Sequence, residues 1–432
     1  MYTPIVNPQY QSGAATALAF ALLSHPLGAR AIDLGFGDFQ AHGFLSQGYT
    51  YTSANDFFGN SQGDGSLEFT ELGLNVLGHP FPNLLLAAQG IYRDTAGSDE
   101  EDFRLDYANI DYSLPIGESS TLGVRAGRVK NPFGLYSEAR DAIWTRPSVL
   151  LPQSIYFDGI GLRSPELSSD GGLLYGRHQF GDHAFTAEFL VGEPQLQTAR
   201  DFITGFPDAQ GRFDGRPVFI GRAGYEWREG RFRLLFSAVD LDKDFDPNSR
   251  DVLPGNIKLF APWVSAQVNL EEWSFTAEYL RISFDRTGIF PALPPDPTAR
   301  NLLVDNTSES YYLQAQYRFA PGWSALARYD AFFANADDHD GSATARGTGL
   351  PRHRFFAKDL TFGLRWEFVE NWLVAAEDHN IDGTGWLSPI DNPGINDPLL
   401  ARGASDGHWD LFTLMFSYRF YPFVCNGRTI HR

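Results

Sequence analysis

Between positions 125 and 166 the sequence sets Arg125, Arg128, Lys130, Arg140, Arg146 and Arg163 among Glu138, Asp141, Asp158 and Glu166. A guanidinium keeps its charge and presents a fixed fork of donors that matches a carboxylate or phosphate. Residues of this kind suit the binding and sorting of anions. Positive charge elsewhere is also almost wholly arginine, the lysines being Lys130, Lys243, Lys258 and Lys358. The interleaved carboxylates support a second reading, in which each arginine is neutralised by a neighbour and serves shape alone. Covalent chemistry finds no comparable support. There is no G-x-S-x-G, no H-E-x-x-H, no Walker loop and no dinucleotide glycine pattern. None of the ten His has Ser two residues on, and His42 and His178 read as wall residues rather than bases. Asp337-Asp338-His339-Asp340-Gly341 lacks the alternating ligand spacing of a calcium loop. The single cysteine, Cys425, makes neither an intrachain disulfide nor a thiolate metal cluster. The reading therefore assigns no catalytic residue, metal ligand or cofactor. A formal net charge of -19 argues against a nucleic-acid partner.

The elements that must hold these charges are strands. Leu360 to Phe368 alternates Leu, Phe, Leu, Trp and Phe with Thr, Gly, Arg and Glu, and Trp409 to Phe420 alternates in the same way. Similar dyads recur through Phe185–Val191, Phe219–Trp227, Phe232–Ala238 and Tyr311–Phe319. A soluble sandwich would share this pattern, so the connections decide. Short turns such as Phe180-Gly181-Asp182, Arg228-Glu229-Gly230 and Ala320-Pro321-Gly322 alternate with long polar stretches such as Ser53–Gly65, Asn131–Asp170 and Ile381–Asp406. Short turns at one end and long loops at the other belong to outer-membrane barrels. With no water in lipid to satisfy a free edge, such a sheet must close. The expected fold is all-β, a transmembrane antiparallel β-barrel of about sixteen strands. It occupies residues 32–420, with a tail over 421–432.

Other features agree. Mean hydropathy is -0.26, and past residue 23 no apolar run approaches the roughly 18 residues of a membrane helix. Trp227, Trp273, Trp323, Trp366 and Trp372 sit beside short turns, where an interfacial girdle belongs. Ahead of the strands, Ala14–Leu23 has the length of a secretory apolar segment, and Ala29-Arg30-Ala31 offers a cleavage site, so residues 1–31 read as a signal peptide. Residues 1–13 hold no Lys or Arg, and a short buried helix is the other reading.

The third long connection, 131–170, carries Phe133, Leu135, Tyr136, Ile143, Trp144, Leu150, Ile155, Tyr156 and Phe157. Folding into the barrel would give these side chains walls to pack on and would narrow the passage. Packing over the rim or on a neighbouring subunit is the alternative. The inward reading makes Arg125, Arg128, Lys130, Glu138, Arg140, Asp141, Arg146 and Asp158 the candidate constriction set, where walls of low dielectric focus the field. Arg177, Arg222, Arg233, Arg328, Arg365 and Arg419, with Glu188, Glu278 and Glu377, occupy polar strand faces elsewhere.

The run Gly127-Arg128-Val129-Lys130-Asn131-Pro132-Phe133-Gly134-Leu135-Tyr136, then Thr145-Arg146-Pro147-Ser148 and Leu151 to Asp158, resembles a recurrent block of proteobacterial porin-like barrels. Gly43 to Tyr49, Phe57-Phe58-Gly59 and Phe69 to Gly73 are similar to the same group, and Gly127 to Gly134 also resembles phosphate-selective porins. The resemblance is dense over 43–158 and architectural afterwards. It implies a general outer-membrane channel for small hydrophilic solutes, set in lipid and lipopolysaccharide, with an inward third loop and a homotrimeric assembly. The chain departs from that group in running past Tyr418-Arg419-Phe420 to Arg432.

Overall fold

The computed structural model describes residues 38–96, 102–160, 162–199, 203, 210–248, 252–289 and 303–425. The strands are β1 Asp38–Thr52, β2 Thr70–Phe81, β3 Leu84–Asp94, β4 Asp102–Ile116, β5 Ser120–Lys130, β6 Ser168–Phe180, β7 His183–Pro194, β8 Gly211–Gly215 and β9 Val218–Trp227. They continue as β10 Phe232–Pro247, β11 Gly255–Asn269, β12 Trp273–Gly288, β13 Leu303–Ala320, β14 Trp323–Phe333, β15 Phe356–Val369, β16 Trp372–Gly383 and β17 His408–Cys425. Every recorded strand pair is antiparallel, and β17 returns to pair with β1, so the barrel closes. β8 and β9 share one place in the wall. Both lie on β10, with Gly215 opposite Lys243 and Phe219 opposite Asp240. The ladder breaks at Arg216-Pro217, where proline has no N–H to donate. The 17 strands therefore make a 16-stave barrel.

Two expected boundaries move. The third loop ends where β6 begins, at Ser168, and so covers 131–167. The last strand does not stop at Phe420. Phe423, Val424 and Cys425 pair with Ala41, Gln40 and Phe39, and the register shift between Ala41 and Gly43 takes up the Tyr421-Pro422 step. A bulge tolerates the proline that interrupts the sequence pattern there. The signal peptide expected at 1–31 and the tail residues 426–432 lie outside the described residues.

Alternation gives the wall an apolar outside. Leu72, Leu74, Ile110, Leu122, Val124, Leu174, Phe189, Phe236, Phe275 and Phe362 are all exposed there, as a surface in contact with lipid requires. No helix among the described residues is long and apolar enough to cross a membrane. At the short-turn end, aromatic rings pair directly across the ladder: Trp273 on Tyr317 at 4.4 Å, Trp323 on Trp366 at 4.7 Å and Trp372 on Tyr418 at 4.8 Å. Phe319 and Phe368 link these pairs into one band from β12 to β17. Trp227 sits apart from that band, under the Arg228 guanidinium at 4.6 Å.

Candidate functional site

The third loop lies inside the barrel because its apolar side chains find partners there. Ile143, Val149 and Leu150 pack with Leu373, Leu411 and Met415 of β16 and β17, and with Phe57 and Trp386 from two other long connections. Phe133, Ile155 and Tyr156 pack on Trp263, Leu280 and Tyr312 of β11 to β13, and Phe133 stacks on Trp263 at 5.0 Å. Each fully buried side chain of this size contributes roughly 1.5–3 kcal/mol. Gly134 turns the chain inward at φ +56°, and a Cβ there would stand 2.9 Å from the Tyr156 hydroxyl.

An irregular buried segment must also satisfy its backbone. Carboxylates of the wall do this at three places. Glu278 accepts the Leu135 N–H at 2.9 Å and the hydroxyls of Tyr156 and Tyr312 at 2.7 and 2.9 Å. Glu377 accepts the N–H groups of Val149 and Leu150 at 2.5 and 3.0 Å. Asp330 accepts Ser154 N–H at 3.1 Å. In return Arg328 donates to the Leu150 carbonyl at 3.1 Å and Arg365 to the Ile143 carbonyl at 2.7 Å.

The eight residues singled out in the sequence divide three ways. Lys130, Arg140, Asp141, Arg146 and Asp158 are buried, and they fasten the loop rather than face a passage. Lys130 joins Asp106 at 2.7 Å and also Asp141. Arg163 joins Asp141 at 2.9 Å and Asp158 at 2.7 Å. Arg140 reaches Asp158 and Glu166, both at 2.6 Å, while Arg146 meets Glu71 of β2 at 2.9 Å. Each of the three cations has a carboxylate partner, and each of the two carboxylates a cationic one, within the packed interior. Arg128 follows Gly127, whose φ of +123° interrupts the alternation of β5, and is 23% exposed. Its guanidinium pairs with Asp170 at 2.7 Å and donates to the Leu105 carbonyl.

Arg125 and Glu138 meet in open space. Arg125 Nε donates to Asp111 at 2.8 Å, and its terminal nitrogen lies 3.6 Å from Glu138. Arg222 of β9 joins Glu138 at 2.6 Å and Glu188 of β7 at 2.5 Å. Toward the short-turn end, Glu226 stands between Arg177 at 3.1 Å and Arg233 at 3.2 Å. The side chains of Arg125, Glu138, Arg177 and Arg233 are 28, 35, 43 and 41% exposed. By contrast Ser46, Glu71, Ser265, Glu278, Arg328, Thr361, Glu377, Thr413 and Ser417, from the remaining wall, are covered. Water therefore reaches the inner wall of β4 to β10 toward the short-turn end. Nearer the long connections the same faces are covered, Leu173, Leu190, Ile220 and Leu241 packing with Leu196 and Phe213, and the third loop covers the wall from β11 to β17. On that wet strip the arginines 125, 177, 222 and 233 are matched by Asp111, Glu138, Glu188 and Glu226. Sequence reasoning had not singled out Glu71, Asp106, Asp111, Glu226 or Asp330. Their signal was a place on the polar phase of a strand, which does not say which cation stands opposite.

No protein-family model matches the sequence, and no curated protein matches it. Solved structures do. The chain is similar to the anion-selective porin from Comamonas acidovorans, at 14% identity over 89% of this chain and 100% of that one, with a TM-score of 0.53. It is similar to the outer membrane channel DcaP of Acinetobacter baumannii, at 12% identity over 90% and 100%, with a TM-score of 0.53. It is also similar to OmpT, an outer membrane protein of Vibrio cholerae in its trimer form, at 11% identity over 89% and 100%, with a TM-score of 0.50. At these identities the likeness is one of fold. Together with the closed wall and its apolar exterior, it makes the chain a multi-pass outer-membrane β-barrel with the porin fold.

Proposed function

We propose that this barrel is a passive channel for small hydrophilic solutes and ions, narrowed by its third loop to a strip along β4 to β10. The observation that carries this reading is the partly exposed column of Arg125, Glu138, Arg222, Arg177, Glu226 and Arg233 on the inner wall, running from 12% exposure at Arg222 to 43% at Arg177. Buried charge would cost several kcal/mol unless paired, whereas these groups keep both partners and water. Arg125 and Arg222 supply the anion preference suggested by the abundance of arginine, and Asp111, Glu138 and Glu188 offset it, so selectivity is weak. Diffusion needs no cofactor and no reacting group. The apolar belt sits in lipid, with lipopolysaccharide in the outer leaflet. The chain assembles as a homotrimer, in keeping with its likeness to the trimer form of the Vibrio cholerae protein.

Purified protein in planar bilayers should give ohmic steps, with a reversal potential near zero in a potassium chloride gradient. Arg125→Gln combined with Arg222→Gln should shift that potential toward cations. A sealed bilayer containing folded protein would reject the channel reading. It would support the second one, a receptor or scaffold barrel binding a protein or glycan through its loops. That reading is favoured by the dry packing of Phe57, Trp386 and Ile395, from two long connections, inside the barrel.

A further inference from the structure

Arg125 and Arg222 are placed alike on the wet strip, one on β5 and one on β9. Each is anchored through Nε to a carboxylate of a neighbouring strand: Arg125 to Asp111 at 2.8 Å and Arg222 to Glu188 at 2.5 Å. The face of the Tyr175 ring lies 5.0 Å from the Arg125 guanidinium, and the Tyr175 hydroxyl donates to the same Asp111 at 2.7 Å. With Nε fixed, the terminal nitrogens of both arginines turn toward one point. That point holds the Glu138 carboxylate, with Oε2 at 2.6 Å from Arg222 and Oε1 at 3.6 Å from Arg125. Arg222 thus hydrogen-bonds one oxygen, its other terminal nitrogen reaching the Gly134 carbonyl at 3.5 Å, while Arg125 stands within ion-pair range of the second oxygen. This is the arrangement that recognises a free carboxylate or phosphate.

Glu138 is the loosest member of the group. It belongs to the third loop, not the wall, and its side chain is 35% exposed. Among the described residues its ion-pair partners are these two arginines. Swinging it into the water beside it leaves both arginines with their wall carboxylates and returns the charge of the remaining four groups to balance. An exposed ion pair of this kind is held weakly and is screened by salt.

We propose that Arg125 and Arg222 form a binding site for the oxygens of a solute carboxylate or phosphate, and that Glu138 is its built-in competitor. Glu138 fills the site when no solute is present, and a passing anion displaces it. The inference rests on the channel reading and names the solute class for it.

The test is current block in planar bilayers, with chloride as carrier and acetate or inorganic phosphate added to one side. Glu138→Gln should lower the half-blocking concentration about tenfold, the effect of removing one charge-assisted competitor. It should also move the reversal potential toward anions. Adding Arg222→Gln to that variant should abolish the gain. Whichever of acetate and phosphate gains more identifies the preferred oxyanion. Conducting channels in which Glu138→Gln and wild type are blocked at the same concentration would overturn the proposal while leaving the channel reading intact. Absence of conductance in folded wild type would defeat the channel reading itself, and the proposal with it.

Discussion

Arg140 offers a sharp test of how the loop is held. Its side chain is fully buried, and its guanidinium reaches Asp158 and Glu166 at 2.6 Å, donates to the Tyr156 carbonyl and lies over the Tyr156 ring at 5.4 Å. Replacement by alanine removes one side of a buried pair, which costs roughly 3–5 kcal/mol. The lower end applies, because Arg163 still holds Asp158 at 2.7 Å and Glu166 is partly open to solvent. About 3 kcal/mol corresponds to about a hundredfold change in the ratio of seated to displaced loop. The strand ladder makes no use of Arg140, so the barrel itself should be unaffected. Hydrogen exchange of the detergent-solubilised protein resolves the two. Peptides from 131–167 should exchange about a hundredfold faster in Arg140→Ala, and those from β11 and β12 should match wild type. The reversal potential should move less than it does for Arg125→Gln. If the loop stayed fully protected while selectivity swung toward cations, Arg140 would belong to the passage and the reasoning from burial would fail.

Two further outcomes follow from groups that hold irregular backbone. Glu377→Gln keeps the shape of the acceptor of Val149 and Leu150 but removes its charge, a loss of about 1.5–3 kcal/mol confined to the loop. Faster exchange at 148–151 and noisier open-channel current should result, whereas unchanged protection would mean that apolar packing alone seats this stretch. In the external connection after β14, the Asp338 carboxylate accepts the N–H groups of Thr344 and Ala343 and the Thr344 hydroxyl, closing the short helix Ser342–Thr348. Those bonds, the Thr344 N–H first, lower its pKa from 3.8 to about 2. The folded value lies below the unfolded one, so the stabilisation is complete above the unfolded pKa and is lost as pH falls through about 2. Amides 343–348 should stay protected at pH 3 in wild type and open as pH falls below about 2. Opening already at pH 4 would refute the cap.

The lipid-facing half of this fold was legible because it is written locally. A dyad such as Leu360 to Phe368 shows its two faces within nine residues, and the alternation of short and long connections implies closure. β8 escaped detection for the opposite reason. Gly211–Gly215 alternates over only five residues, with Phe213 as its one bulky apolar side chain, and is held as a strand because β10 extends past Pro217 and offers a partner. The inward course of the third loop was also readable, since Ile143, Leu150 and Ile155 would not be stable in water.

The charges were readable as a group but not one by one. Arg140 and Arg146 look no different in sequence from Arg125. Their environments differ because Asp158 and Glu71 close over the first two, while the loop stops short of the third. Glu71, which also pairs with Arg93 at 3.3 Å, lies 75 positions from Arg146, and no local pattern encodes such a pairing. On the proposed channel reading, selectivity would be set by the charges that the loop leaves unburied. The loop consumes Lys130, Arg140, Arg146 and Arg163 in seating itself, and the cations left to meet a solute come from the wall. On that reading a single neutralised carboxylate at Glu138 should alter the current and leave the seat in place, because Glu138 is partly exposed and its ion-pair partners among the described residues are the wall arginines Arg125 and Arg222.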